Sequence, residues 1–347
     1  MIDIDGSMME GGGQLLRMAT SYSSIIGEPI RVYNIRAKRR DPGLKPQHLT
    51  TLTAAAKISN AETTGAYIGS SKITFKPNTI KGGDYNFDIG TAGSISLLLQ
   101  CINPILLYAN RKSRMSIKGG TAVKWSPPIP FLENIVYEAL HSMEATSRIE
   151  IIKHGFYPKG GGEIIQQTEP VTSIKPLKLT KPNIKQIKGI SLCGALPEHV
   201  STRQADSAEK KLNELRVKTR IRPIVAHPVS ESPGSFVCLW AVGDDVYIGA
   251  DSLGARGKPA EEVGEEAAKR LLKEIRTGAN LDQHTTDHII LPASLAKGKS
   301  SFRTSSITLH TLTAIEIAKL FTDAKFNVIG EESQPGIIEV HGISLEN

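Results

Sequence analysis

Glycine turns that open helices recur along this chain at an interval too long for a short-repeat fold. "EGGGQLLR", Glu10 to Arg17, precedes an apolar-periodic stretch that stops at Gly27. "PIRVYNIRA" follows as a strand, then a basic loop, then "PQHLTTLTAAAKIS" as a helix and "KITFKP" as a strand by alternation. Roughly eighty residues on, the pattern restarts with "KGGDYNFDIGTAGSISLLLQCI": glycine turn, short strand, glycine turn, helix. "RMSIKGGTAV" is a strand and turn, "PPIPFLENIVYEALHSM" a helix opened by prolines, and "SRIEIIKHGFYPKGGGEIIQQTE" a strand, glycine turn and strand. The chain must therefore fold as a few large strand-plus-helix units, not as a solenoid.

A third unit is split. "TTDHIILPASLA" and "SSITLHTLTAIEIAKLFT" start helices in the same style, and "KFNVIG" and "GIIEVHGI" supply strands. Residues 183–277 differ. They hold an amphipathic helix in "HVSTRQADSAEKKLNELRV", a strand in "TRIRPIVAHP", a strand pair turning at Gly243–Asp244, and a charged-faced helix ending at Gly278. The polar, proline-bearing "LTKPNIKQIKG" reads as the boundary of an inserted α/β domain, leaving 1–182 with 278–347 as the main domain.

Composition narrows the function. A formal net charge of +7 favours a polyanionic partner, nucleic acid or nucleotide, the alternative being a merely basic protein. The longest apolar run, "SISLLLQCINPILLYA", is interrupted by Gln100, Asn103 and Pro104, so it reads as a buried helix and not a membrane span. Three scattered cysteines make no metal or disulfide framework, and the acidic N-terminus lacks a secretory pattern. A reducing, cytoplasmic setting is the expectation.

Several stretches carry chemistry. Arg36, Lys38, Arg39, Arg40 and Lys45 crowd one loop, which is either solvated or holds an anion such as a terminal phosphate. The "EGGGQLLR" loop lets backbone N–H groups face a ligand at a helix start, although it is neither a Walker A loop nor a dinucleotide fingerprint. Glu10 beside such a loop is either a surface turn residue or a carboxylate bridged to phosphate by a divalent cation. His310, at the mouth of a helix among Thr308, Thr311 and Thr313, is either a cap or packing residue or a nucleophile for phosphorus. An upstream aspartate, Asp287, is a candidate to fix its tautomer or hold a leaving-group ring.

Taken together these stretches resemble the RNA 3'-terminal phosphate cyclase family. "HGFYPKGGGE", His154 to Glu163, is similar to that family's signature. "DGSMMEGGGQLLR", "IRAKRRDPGLKPQHL", "KGGDYNFDIGTAGS", "KGGT" with "SPPIPFLE", "DHIILPASLAKGKSSF" and "LHTLTAIEIAKLF" fall in the family's order. The resemblance implies an α/β fold of three βαβαβ-like units, akin to the C-terminal domain of a bacterial translation initiation factor and to enolpyruvyl transferases. It also implies a small thioredoxin-like domain inserted in the third unit. The glycine signature is then a strand turn of the second unit, and His154 is not the nucleophile.

The activity so implied uses ATP and a divalent cation, magnesium or manganese, on RNA bearing a 3'-terminal phosphate. A histidine takes AMP, passes it to the RNA phosphate, and the neighbouring 2'-hydroxyl closes a 2',3'-cyclic phosphate. By position, His310 matches the nucleophile and Glu10 the carboxylate at the metal-bound phosphates. Arg17, Arg36 and Arg39 match basic residues around the phosphates, with Gln47 beside them. Gln100 and Pro127 match positions lining the nucleotide, and Asp287 lies near its ribose or the nucleophile. His284 stands where the family places an aromatic three residues before that aspartate, so imidazole replaces a larger ring against adenine. Ala122 to Trp125 match no pattern and have no assigned role. Two other classes share the architecture: non-catalytic relatives that bind RNA during ribosome assembly and lack the histidine, and enolpyruvyl transferases, which need neither the histidine nor the basic loop.

Overall fold

In a computed structural model describing residues 1–347, the glycine-punctuated units fold into sheets of matching strand order. The first unit runs β1 (Ile2–Asp5), α1 (Gly13–Ile26), β2 (Ile30–Tyr33), α2 (Pro46–Ile58), β3 (Glu62–Thr64) and β4 (Ile73–Lys76). Its sheet order is β1-β2-β4-β3, with only β1 and β2 parallel. The second runs β5 (Asp84–Asp88), α3 (Ile95–Leu107) and β6 (Ser113–Gly119). It continues through α4 (Ile129–Phe131), a π-helical turn Leu132–Val136, α5 (Tyr137–Ser142), β7 (Ser147–Lys153) and β8 (Gly162–Thr168). The sheet order β5-β6-β8-β7, again with one parallel pair, repeats the first.

Residues 183–277 make a separate four-stranded sheet from β9 (Asn183–Gly194), β10 (Lys218–Val225), β11 (Gly234–Asp244) and β12 (Gly249–Leu253). Two helices, α6 (His199–Leu212) and α7 (Ala260–Arg276), cover one face. Side-chain alternation along β11 explains why this strand is apolar throughout. Phe236, Cys238 and Trp240 enter the main core, whereas Val237, Leu239 and Ala241 enter a second core under α6 and α7. The sequence reading placed the turn after β11 at Gly243–Asp244. Asp244 instead still pairs with Asn183, and the chain turns at Asp245, which takes a left-handed φ of 52°. The stretch read as a polar boundary, "LTKPNIKQIKG", becomes the start of the central strand β9.

The third unit then closes with α8 (Gln283–Leu295), β13 (Lys299–Thr304), α9 (Leu309–Phe321), β14 (Lys325–Ile329) and β15 (Gly336–His341). Its sheet order β13-β15-β14 lacks a first strand, which survives as a single parallel bridge between Leu281 and Thr304. The helices of different units pack on one another. Tyr22 of α1 stacks on Phe321 of α9 at 5.4 Å between ring centroids, and its hydroxyl bonds Ser294 of α8 at 2.7 Å. No helix is long and apolar enough to cross a membrane.

The signature loop fastens this assembly together. A Cβ on Gly155 would lie 2.2 Å from the Gly162 nitrogen, so the two strand ends meet only because neither residue has a side chain. On its other side Phe156 fills the space above Gly234, and Lys159 N–H donates to Ser232 at 3.2 Å, tying the second unit to the 183–277 sheet. His154 packs between Phe156 and Phe236, and burial pushes its imidazole down to about 4.

Candidate active site

Helix α9 begins with Thr308, whose hydroxyl accepts the Thr311 N–H at 3.0 Å and so caps the first turn. This cap holds His310 at the helix mouth, facing α1 of the first unit. Gln14, on the first turn of α1, binds it twice. The Gln14 Nε2 amide donates to the His310 carbonyl at 3.2 Å, which turns Oε1 toward the ring and into a short hydrogen bond with Nδ1. An amide oxygen only accepts, so the network assigns the proton to Nδ1 and leaves the Nε2 lone pair free. The ring edge is open to solvent, yet the cleft walls around it, then the charges of Arg17, His284 and Arg39, lower its pKa to about 4. At neutral pH His310 is therefore an uncharged base with one nitrogen unoccupied.

Arg17 lies one turn further along α1 and is 8% exposed. Its only side-chain bond runs from Nε to Gln100 Oε1 on α3, at 2.9 Å. Burial lowers its pKa to about 10, so it remains charged at pH 7 although its one partner is a neutral amide. A buried cation without a counter-ion is costly, and an anionic ligand relieves that cost. The N-terminus of α1 adds to the attraction: Gly12 provides no side-chain cap and the first turn carries no acidic residue. The glycines let side chains close around that helix end. A Cβ on Gly13 would lie 2.4 Å from His48 Nε2, and one on Gly12 2.2 Å from Glu10 Oε2.

His310, Gln14, Arg17, Gln100, Pro127, His284 and Asp287 line one cleft of about 550 Å³. The other sequence-selected residues sit apart from its lining. Arg39 forms an ion pair with Glu10, whose backbone N–H reaches Thr313 of α9 at 3.4 Å. Arg36 turns its guanidinium back on its own loop, donating to the carbonyls of Asp41 at 2.7 Å and Gly43 at 2.9 Å. Gln47 accepts the Ser94 N–H at 2.8 Å and thereby joins α2 to the start of α3. Asp287 does not set the His310 tautomer. Its carboxylate accepts from Thr311 at 2.7 Å and Thr308 at 3.4 Å, and burial raises its pKa to about 7. Nor does Asp287 open its helix. Asp282 does, taking the N–H groups of His284 and Thr285 at 2.8 Å and of Gly249 at 2.9 Å. His284 presents its ring to the cleft, edge-on to Phe131 at 6.3 Å.

Sequence reasoning missed two contributions. Gln14 was invisible as a partner because 296 residues separate it from His310. The far wall, Lys258, Glu266 and Arg270 joined by ion pairs, comes from helix α7 of the 183–277 region and the turn just before it. The amphipathic charge pattern of α7 was the available signal.

A divalent cation would have to use what the chain offers. No group of three or more His, Cys, Asp or Glu side chains is assembled to hold one. Glu10 Oε2, however, is buried with no hydrogen-bond partner while the other oxygen pairs with Arg39. One carboxylate with an orphaned oxygen fits a cation shared with nucleotide phosphates, not one caged by protein alone.

Residues 8–328 match the family model described as RNA 3'-terminal phosphate cyclase. The chain is 43% identical to the RNA 3'-terminal phosphate cyclase of Desulfurococcus amylolyticus over 354 residues, covering 100% of this chain and 99% of the relative. It is 40% identical to that of Ignicoccus hospitalis over 349 residues, covering 99% of each. With the Caldivirga maquilingensis protein of the same name it shares 45% over 335 residues, 95% of each chain.

Proposed function

This chain belongs to the RNA 3'-terminal phosphate cyclase family, and we propose that it converts RNA 3'-phosphate ends to 2',3'-cyclic phosphates with ATP, through an adenylate carried on His310. One observation carries this reading: a neutral imidazole with Nε2 free lines the same cleft as a buried arginine that lacks a counter-ion. In the first step Nε2 attacks the α-phosphorus of ATP. The N–P bond forms, the bond to the pyrophosphate oxygen breaks, and the Nδ1 proton stays shared with Gln14. Arg17 and the open end of α1 face the charge that develops on the phosphates. Glu10, through its unpartnered Oε2, would hold a divalent cation, which would supply further neutralisation of phosphate charge.

An oxygen of the RNA 3'-phosphate then attacks the adenylate phosphorus, and the P–N bond breaks to restore the imidazole. Finally the adjacent 2'-oxygen attacks the activated 3'-phosphorus, losing its proton as AMP departs. AMP leaves far more readily than an oxide would, and the attack is intramolecular, which lowers its entropic barrier. Gln100, Pro127, His284 and Asp287 line the space for adenosine. Arg36, Arg39 and Gln47 serve the phosphate side, Arg39 after release from Glu10. We take residues 183–277 as the inserted domain, closing the cleft with Lys258 and Arg270.

The test is transfer of label from α-labelled ATP to protein, then cyclisation of a 3'-phosphorylated oligoribonucleotide. His310→Ala is expected to lose both. An acid-labile adenylate persisting on that variant sinks the assignment.

A further inference from the structure

Trp125 is 94% exposed and holds a left-handed φ of 66°, unusual for a bulky aromatic residue. Its loop is nonetheless pinned: Ser126 Oγ donates to the Val123 carbonyl at 3.2 Å, and Ser96 Oγ to the Pro127 carbonyl at 2.7 Å. A rigid loop that drives an indole into water carries a free stacking surface. Behind it opens a groove of about 1020 Å³ that shares Val123, Lys124, Trp125 and Leu253 with the His310 cleft. Tyr157 of the signature loop, 78% exposed, supplies a second aromatic ring there. Lys124 and Arg256, both exposed, are the charged residues of the lining, which contains no carboxylate, whereas the cleft itself contains three.

We propose that this groove holds the single-stranded RNA segment leading to the reactive 3' end, with Trp125 stacking on one of its bases and Lys124 and Arg256 on its phosphates. The inference rests on the cyclase reading for the identity of its ligand. Its physical basis is independent: aromatic faces interleaved with uncompensated cations fit unstacked bases on a polyanionic backbone. Continuity with the cleft fixes the direction, because a strand seated in the groove runs its end toward His310. The groove, at about 1020 Å³, slightly exceeds the ~300–1,000 Å³ typical of small-molecule sites, ample for more than the terminal nucleotide.

The experiment compares the full-length protein with Trp125→Ala and Trp125→Phe, using a 3'-phosphorylated ten-nucleotide single-stranded RNA without ATP. Binding should quench tryptophan emission in the unaltered chain and not in Trp125→Phe, since the chain's other tryptophan, Trp240, is buried. Trp125→Ala should weaken RNA binding about 5- to 150-fold, the worth of one stacked base, and by more than any change it makes in the KM for ATP. Equal RNA affinity in all three proteins, or a defect confined to the KM for ATP, overturns the proposal; the latter would mean that the indole stacks on adenine. Quenching and the affinity loss in a protein that never adenylylates would uphold the groove and reject the cyclase reading. Normal cyclisation with no effect of Trp125→Ala would do the reverse.

Discussion

Replacing Gln14 tests the chemistry more sharply than replacing the nucleophile. Gln14→Leu keeps the side chain's bulk but removes the acceptor for His310 Nδ1–H and the donor to the His310 carbonyl. A hydrogen bond of this kind is worth about 1 kcal/mol net, about a fivefold rate change, and the substitution removes two. Loss of tautomer control adds to it, because a proton that moves to Nε2 abolishes the nucleophile. We expect adenylate formation to slow about 10- to 100-fold. That is less than the ~10⁴-fold seen where a buried carboxylate holds a catalytic histidine, because a neutral amide stabilises the positive charge that develops on the ring less than a carboxylate does.

The companion variant, Gln14→Glu, places a negative charge beside Nδ1. The unaltered imidazole has its pKa lowered to about 4, so the active, neutral form is retained as pH falls past the ordinary histidine value of ~6.5. A carboxylate neighbour favours the protonated ring and raises that pKa, so the acid limb should move toward neutrality. The assay is single-turnover label transfer from α-labelled ATP between pH 4.5 and 8. Label transfer by Gln14→Leu at the unaltered rate, or an acid limb that stays put in Gln14→Glu, would remove Gln14 from the mechanism and the Nε2 assignment with it.

Three further outcomes test the surroundings. Arg17→Met should raise the KM for ATP about 10- to 100-fold, as expected for a lost charge-assisted contact, without lowering stability in urea, because it removes an uncompensated buried charge. A clear loss of stability would instead make Arg17 a structural strut. Glu10→Ala should raise the divalent-ion concentration needed for half-maximal adenylylation, and an unchanged magnesium titration would exclude it from the cation site. Asp282→Ala should cost about 2–4 kcal/mol in urea unfolding, combining a lost helix cap with the orphaned N–H of Gly249, and Asp282→Asn distinctly less. Equal losses for the two variants would mean that the bonds to its oxygens are not what holds this junction.

Helices were the legible part of the chain, because glycine turns before α1 and α3, a hydroxylated cap before α9 and an apolar period in each mark them directly. Four strands were not, two of them, β1 and β3, being only four and three residues long. The first half of β9 projects as a partly solvated extension, so its polar residues mimic a linker. Strand β13, "KSSFRT", hides its hydroxyls through hydrogen bonds: Ser300 Oγ accepts the Leu177 N–H at 3.0 Å, and Thr304 bonds Thr286 at 2.8 Å. In the site, Arg17 stood out after a glycine-opened helix start and His310 among the threonines at a helix mouth. The partners that define their states, Gln14 and Gln100, are neutral amides whose pairing exists only after three units dock.

That docking shows why the glycine repeat matters without being catalytic. The first helix of each unit, α1, α3 and α8, follows the unit's first strand or its remnant bridge and points one face into the cleft. On α1 that face carries Gln14 and Arg17, one and four residues after the start at Gly13. On α8 it carries His284, Asp287 and His288, one, four and five residues after Gln283, and on α3 it carries Gln100, five residues after Ile95. Such spacings share one helical face. The repeated backbone thus delivers equivalent positions to a common point, and divergence among the units has made one of them cationic, one an amide and one acidic with imidazoles. His310 comes instead from the second helix of the third unit. No single unit could hold a buried arginine, its orienting amide and a facing imidazole at once, since each comes from a different one. Glycine turns set where α1 and α3 begin and the Asp282 cap sets where α8 does, and the side chains a turn or so later supply the chemistry.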